Sequence, residues 1–191
     1  MFVPRRYRKL ARGPQVILPK DIGLIIAYSG VGKESVCVDA GTGSGWLAVS
    51  LARLCKSVVS YDVREDFLGI ANENIKRQGL DNLKLVLGDV TKGIKERDVD
   101  LVTLDMPNAE KAVRSANAAL RPGGCIVGYL PHMEQVKAFV ERLNRYGFED
   151  TVTLEAIVRD MLVRAEGVRP STKGVWHTGY LVFAHKAGQP G

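Results

Sequence analysis

Seven consecutive residues, Asp39-Ala40-Gly41-Thr42-Gly43-Ser44-Gly45, place one acid and three glycines at alternate positions between a Val-rich run and an amphipathic one. Glycines there let the backbone turn tightly and come close to a ligand. The N–H groups of Gly45, Trp46 and Leu47 would start the following helix without intrahelical partners, a place suited to an anionic group such as a carboxylate. Three further acids, Asp62, Asp89 and Asp105, each close a later apolar run. One acid in such a place is an ordinary cap or loop residue; four at the ends of successive parallel strands converge on one crevice, where ligands of doubly wound sheets bind. A carboxylate there offers two oxygens to two donors, such as paired hydroxyls.

The elements that must position these groups alternate along the chain. SVCVDA (35–40), KSVVSYD (56–62), LKLVLGD (83–89), VDLVTLD (99–105) and CIVGYL (125–130) suit strands buried on both faces. Helical stretches lie between them at 45–55, 64–79, 108–120 and 133–147, with Gly79, the Pro122-Gly123-Gly124 run and Gly147 as expected stops. Strand alternating with helix predicts an α/β fold, a parallel sheet with helices on both faces. The last third departs from this rhythm. Residues 150–164 and 175–186 read as two strands around a turn-rich 165–174 with no helix, so they are expected to pair antiparallel.

Charge is localised. Of 27 Lys and Arg, six (Arg5, Arg6, Arg8, Lys9, Arg12 and Lys20) lie in residues 1–20, which hold no acid; the remaining 21 balance the 21 Asp and Glu. A basic arm (1–20) leading into a neutral body (21–186) with a short tail (187–191) is a footprint for phosphate contacts or a solvated tail. With 191 residues, 46% hydrophobic and 25% charged, the composition excludes extensive disorder, and one domain is expected. No signal-peptide or membrane-spanning run is present, and a cytoplasmic location is expected. Cys37, Cys55 and Cys125 lie in apolar segments as buried small hydrophobes, and His132, His177 and His185 form no ligand-like pair, so no metal is expected.

The glycine loop admits two readings. Gly43-Ser44-Gly45-Trp46-Leu47-Ala48 fits the relaxed G-x-G-x-x-A of nicotinamide-binding folds. The acid at Asp39 and the earlier Gly41 instead resemble the loop of S-adenosylmethionine-dependent methyltransferases, and parallel strands followed by an antiparallel pair resemble their sheet. That likeness implies a Rossmann-like class I methyltransferase fold, a mostly parallel seven-stranded sheet with an antiparallel C-terminal strand. S-adenosyl-L-methionine would then be the cofactor, held by Asp39, Gly41 to Leu47 (Thr42, Gly43, Ser44, Gly45 and Trp46 among them), Asp62, Val63, Asp89, Val90 and Asp105. Asp62 would accept the ribose hydroxyls and Asp89 the adenine amino group.

Three segments carry a narrower resemblance: Arg12-Gly13-Pro14-Gln15-Val16-Ile17-Leu18-Pro19-Lys20-Asp21, Leu104-Asp105-Met106-Pro107, and His177-Thr178-Gly179-Tyr180-Leu181; Arg169-Pro170, Tyr129-Leu130-Pro131 and Gln135-Val136 also fit. Together they resemble the tRNA adenine-N1 methyltransferases that modify position 58 of the T-loop. The resemblance spans residues 12 to 186. It implies tRNA as partner, a homotetramer, and methylation of adenine 58, with neighbouring adenine 57 a second candidate. It also implies Asp105 and Tyr129 at the reacting centre and Gln15, Lys20, Asp21, Arg169, His177 and Tyr180 toward the substrate. Asp21 alternatively caps the helix after it, and Lys20 alternatively is solvated. Two departures stand out: about eleven residues precede the first motif where the family carries a small β domain, and Leu18 stands where Tyr is common.

Adenine N1 has an available lone pair and no proton, so methyl transfer to it needs placement in line with the methyl group rather than a strong base. A carboxylate accepting the 6-amino N–H would orient the ring and stabilise the charge developing on it. Asp105 is placed for that, although Asn108 stands where an aromatic stacker is expected in a D-x-P context. N1 lies on the base-pairing edge, so the target must be extruded. Competing readings are a class I methyltransferase of a small molecule of the corrin-pathway type, a non-catalytic RNA-binding subunit, and a nicotinamide-dependent oxidoreductase.

Overall fold

The computed structural model describes residues 3–188 apart from Arg6 and Pro14. The expected tail therefore lies mostly outside the described residues, as do Arg6 of the basic arm and Pro14 of the first motif. In chain order the elements are α1 (Pro19–Ser29), β1 (Val36–Ala40), α2 (Trp46–Ala52), β2 (Ser57–Asp62), α3 (Glu65–Gln78), β3 (Leu83–Leu87), β4 (Val99–Leu104), α4 (Ala109–Ala119), β5 (Leu120–Leu130), α5 (Met133–Arg145), β6 (Phe148–Glu155), β7 (Met161–Arg164), β8 (Gly167–Pro170) and β9 (Tyr180–Lys186).

Seven strands form one sheet in the order β3-β2-β1-β4-β5-β9-β6. β1 pairs parallel with β2 and β4, β2 with β3, and β4 with β5. β9 pairs antiparallel with both β5 and β6, so it alone among the seven runs against the rest. The reversal follows from connectivity: no helix lies between β6 and β9, and a parallel crossover needs one. Two apolar clusters cover the sheet, one built on α4 and α5 around Phe139 and Leu143, the other on α1 and α2 around Ile25 and Leu51. The two-sided α/β architecture expected from the periodicity is present, with the seven strands and one antiparallel member that the resemblance implied.

Four local expectations are corrected. Residues 150–164 are not one strand: β6 ends at Glu155 and β7 opens a separate hairpin with β8. The turn-rich 165–174 holds β8, whose four residues are all exposed, so it carries no burial signal in its sequence. The last strand begins at Tyr180, after an irregular 171–179. Pro122-Gly123-Gly124 does not end α4; the chain turns at Leu120, already extended, and the run lies within β5. Gly79 does end α3, with φ 62°, and Gly147 follows α5 with φ 69°.

The N-terminal segment packs on the domain. Tyr7 stacks near Trp46 with ring centroids 5.1 Å apart and hydrogen-bonds the Ser50 hydroxyl. Leu10 and Ile17 are buried with the α1–α2 cluster. The basic side chains Arg5, Arg8, Lys9 and Arg12 remain exposed.

Candidate functional site

Because β1 to β5 run parallel, the ends of β1, β2, β3 and β4 bring Asp39, Asp62, Asp89 and Asp105 to one edge of the sheet, beside the β1–α2 loop. Pairing sets the environment of Asp39. Ser60 and Thr103 are its neighbours in β2 and β4, and their hydroxyls donate to its two oxygens at 2.6 Å each. Burial pushes this carboxyl above its ordinary pKa, against the pull of the two hydroxyls. Thr42 extends the chain, its hydroxyl 2.7 Å from that of Ser60. Asp39 is thus the floor of the loop rather than an open acceptor.

The glycine loop is held from both sides. The N–H groups of Gly41 and Thr42 donate to the Tyr61 carbonyl at 2.9 and 3.1 Å, and the Gly43 N–H donates to Asp62 Oδ2 at 3.0 Å. Gly41 has φ 89°, and a Cβ on it would fall 1.8 Å from the Asp105 carbonyl oxygen. The Asp105 N–H in turn donates to the Ala40 carbonyl at 2.8 Å. Loop and β4 terminus are therefore in direct backbone contact, which no other residue at 41 permits.

Asp62 is 4% exposed. Its Oδ1 accepts the backbone N–H of Arg64 at 3.0 Å and the Arg64 guanidinium at 3.3 Å. The guanidinium is half-exposed and lies over the Phe67 ring, so it can be displaced by a ligand hydroxyl without disturbing the backbone. Asp89 is partly buried, its Oδ1 occupied by the Thr91 hydroxyl and N–H at 2.6 and 2.9 Å. Those bonds hold its carboxyl below the usual carboxylate range. Val90 is buried beside it, whereas Val63 is exposed at the rim.

Gln15, Val16 and Ile17 close a cavity over the loop, lined on the other side by Asp39, Gly41 to Ser44, Trp46, Leu47 and Asp105. Two polar groups in it are unspent. The Ser44 hydroxyl is buried without a hydrogen-bond partner among the described residues. The Asp105 carboxyl is pushed up to about 7 by burial first and by the charges of Asp39 and Asp62 second, with Arg64 opposing. An unpaired buried hydroxyl is costly, and a partner supplied by a ligand removes that cost. The Gly45 N–H, one of the three expected to receive an anionic group, instead donates to the Thr42 carbonyl at 2.8 Å; the Ser44 hydroxyl as a donor and the Asp105 carboxyl as an acceptor are the groups that fit a polar ligand here.

Lys20 and Asp21 lie elsewhere than on an open surface. Asp21 is completely buried in the first turn of α1, and it does not cap that helix, whose N-cap is Leu18. Its carboxylate accepts the Lys20 ammonium at 2.7 Å, the Thr178 hydroxyl at 2.9 Å and the Tyr129 hydroxyl at 3.4 Å. Lys20 Nζ also reaches the Ala156 carbonyl and the Thr178 hydroxyl at 2.7 Å each, so its three protons face three acceptors. The Tyr129 hydroxyl donates to the Thr178 carbonyl at 2.8 Å, and its ring lies so close to Gly179 that a Cβ there would meet it at 2.9 Å. Burial raises the Tyr129 hydroxyl pKa. The solvated reading of Lys20 and the capping reading of Asp21 are both corrected: this cluster ties α1, β5, β6 and the approach to β9 into one wall of the crevice.

His177 sits at the outer edge of that wall. Its Nδ1 is 2.7 Å from Glu155 Oε1 and its Nε2 3.0 Å from the Pro131 carbonyl, so both ring nitrogens face acceptors and its pKa is raised, by the Glu155 contact first. Tyr180 stacks against it at 4.8 Å between centroids. Arg169, on the exposed β7–β8 hairpin, is not brought to the cavity by any contact among the described residues.

Sequence patterns gave no signal for Asn74. It is fully buried in α3, and its amide bonds both the glycine loop and the N-terminal segment. Among the described residues no His, Cys, Asp and Glu side chains group as a metal site would require, and no helix is long and apolar enough to cross a membrane.

Residues 8–169 match the family model described as "tRNA methyltransferase complex GCD14 subunit". A protein of Methanocaldococcus jannaschii named tRNA (adenine(57)-N(1)/adenine(58)-N(1))-methyltransferase TrmI is 37% identical over 213 residues, covering 96% of this chain and 76% of its own. The Thermus thermophilus tRNA (adenine(58)-N(1))-methyltransferase TrmI is 31% identical, over 86% of this chain and 66% of its own. The crystal structure of tRNA (m1A58) methyltransferase TrmI from Aquifex aeolicus superposes with a TM-score of 0.88 at 27% identity, over 95% of this chain and 74% of that one.

Proposed function

The chain belongs to the GCD14 family of tRNA methyltransferase complex subunits, and we propose that it transfers a methyl group from S-adenosyl-L-methionine to N1 of adenine 58 in the tRNA T-loop, with adenine 57 as a second target. The observation that carries the reading is one cavity lined together by the glycine loop, Asp105 and Ser44, whose hydroxyl is unpaired among the described residues. The name of the M. jannaschii relative supports the adenines.

When bound, the cofactor supplies an electrophilic methyl group on a sulfonium. The Ser44 hydroxyl and the N–H groups of Trp46 and Leu47 would receive its carboxylate, and the Asp62 carboxylate would accept the ribose hydroxyls in place of the Arg64 guanidinium. Val63, Asp89 through Oδ2, which faces Lys92 Nζ at 3.8 Å, and Val90 would flank the adenine. Asp39 stays beneath the loop and holds its shape.

Asp105 orients the flipped target by accepting its 6-amino N–H, which leaves N1 toward the methyl group and counters the positive charge that develops on the ring. Tyr129, fixed by Thr178 and Gly179, walls the pocket rather than exchanging a proton. His177 and Tyr180 line the mouth, Gln15 covers the cavity, and Lys20 and Asp21 act by holding that wall. The exposed Arg5, Arg8, Lys9, Arg12 and Arg169 meet tRNA phosphates.

Assembly as a homotetramer is supported by the apolar side chains left exposed on the β7–β8 hairpin, Met161, Val163 and Val168, and by Trp176 in the irregular stretch after it. A cytoplasmic location is supported by tRNA as substrate. A small-molecule methyltransferase shares the loop and acids but has no use for the basic segment. Incubation with an unmodified tRNA transcript and methyl-labelled S-adenosylmethionine, followed by nucleoside mass spectrometry, tests the reading: 1-methyladenosine is expected, and label-free tRNA overturns it.

A further inference from the structure

Asn74 occupies the middle of α3, where asparagine is a poor helix former and a buried amide is costly unless bonded. Its bonds run outward from the helix to two different segments. One is the glycine loop, through Nδ2 donating to the Ser44 carbonyl at 2.8 Å. The other is the N-terminal segment, through Nδ2 donating to the Ala11 carbonyl at 2.9 Å and the Ala11 N–H donating to Oδ1 at 2.7 Å. Trp46, the first residue of α2, adds a bond from Nε1 to the same Ala11 carbonyl at 3.3 Å.

Neighbouring residues make this junction tight. Ala71, one turn before Asn74, lies where a Cβ on Gly45 would meet its Cβ at 3.2 Å. Gly13 is buried so closely against Phe67 and Ser44 that a Cβ there would meet the Phe67 ring at 3.2 Å. Four residues beyond Ala11, Gln15, Val16 and Ile17 form the cover of the cavity whose floor is the loop. One amide thus fixes both halves of the cavity relative to each other.

We propose that Asn74 is a positioning residue that couples docking of the N-terminal segment to cofactor binding. Holding the Ser44 carbonyl aims the loop, and holding Ala11 seats the cover. A ligand that binds between loop and cover favours the docked segment, and by reciprocity the docked segment favours the ligand. The inference rests on the S-adenosylmethionine reading of the cavity.

The test uses the intact chain, Asn74→Ala and the isosteric Asn74→Asp, which keeps an acceptor for the Ala11 N–H and loses both donors. Calorimetry with S-adenosylmethionine comes first: absence of binding to the unaltered chain refutes the cofactor reading itself. If the unaltered chain binds, both variants are expected to bind about 10-fold more weakly, the effect of losing one to two buried hydrogen bonds. The KM for the cofactor should rise alike while kcat at saturation stays within about threefold. Trypsin cleavage after Arg12 gives the readout a merely structural role would not move. Cofactor should slow it in the unaltered chain and leave it unchanged in Asn74→Asp. Unchanged affinity, a fall in kcat with constant KM, or cofactor protection of Arg12 that persists in Asn74→Asp each overturn the coupling. Should Asn74→Ala fail to fold, the Asn74→Asp and unaltered chains decide the matter.

Discussion

The carbonyl oxygen of Asp105 occupies the space a side chain on Gly41 would need, 1.8 Å from the position of its Cβ. The loop after β1 and the end of β4 are thereby one backbone unit, and the Asp105 carboxyl is delivered to the glycine loop by main-chain packing rather than by its own bonds. Gly41→Ala meets both this clash and a φ of 89°. Nothing flexible can yield, because the obstacle is backbone. The variant is expected to lose at least about 3 kcal/mol of stability, or to keep its fold and lose cofactor binding altogether. Urea denaturation and calorimetry distinguish the two; a variant normal in both would mean that the loop and β4 can separate freely.

Asp105 supplies a prediction with opposite signs for activity and stability. Burial first, and the charges of Asp39 and Asp62 second, push its carboxyl up to about 7 in the fold from an ordinary 3.8. Between those values the folded chain keeps a proton that the unfolded chain releases. The contribution to stability is therefore full below the lower value and is lost as pH rises through the upper one. Asp105→Asn should accordingly stabilise the chain at pH 8 by on the order of 1–3 kcal/mol and change little at pH 4. Turnover needs the ionised form to accept the amino N–H. In the unaltered protein kcat/KM should climb with pH up to about 7 and level off above it, and Asp105→Asn should lose about 100-fold or more in single-turnover rate. A variant that is neither more stable at pH 8 nor slower would remove Asp105 from the reacting centre.

The Lys20–Asp21 pair separates two kinds of role. Side-chain exposures of 7% and 0% leave no face for a substrate, and each proton of Lys20 already has an acceptor. Lys20→Met leaves the Asp21 carboxylate buried with only the Thr178 and Tyr129 hydroxyls. A loss of about 3–5 kcal/mol in denaturation is expected, the cost of breaking a buried pair from one side. Were Lys20 a substrate contact instead, the variant would unfold normally and bind tRNA weakly.

What could be seen in advance divides along physical lines. The run 35–45 was legible because a strand buried on both faces is continuously apolar and its ligand loop must be glycine-rich. The strand-end acids were legible because parallel topology sends them to one edge. Residues 161–170 were not, since both strands of that hairpin are largely exposed and so lack an alternating pattern. The buried network around Lys20 and the place of Asn74 were not legible for a shared reason. A polar residue on a helix looks solvated unless its partners are known, and these partners, at Thr178, Ala156, Ser44 and Ala11, are distant in sequence.

The basic segment can be tested without disturbing the packing beneath it. Tyr7, Leu10, Ala11 and Ile17 anchor it, whereas Arg5, Arg8, Lys9 and Arg12 point outward. Replacing those four with Gln should leave stability and cofactor affinity nearly unchanged, because no cavity or core contact is lost. Binding of tRNA should weaken at low salt, and each phosphate contact removed should lower the magnitude of the log K against log salt slope by about 0.7–0.9. A full set of four contacts would therefore reduce it by about 3. Because the segment also covers the cavity over the glycine loop, the comparison with Asn74→Asp is informative. The Gln variant is expected to alter tRNA affinity alone, and Asn74→Asp cofactor affinity first. A salt slope that does not change on removing four positive charges would place the tRNA-binding surface elsewhere on the molecule.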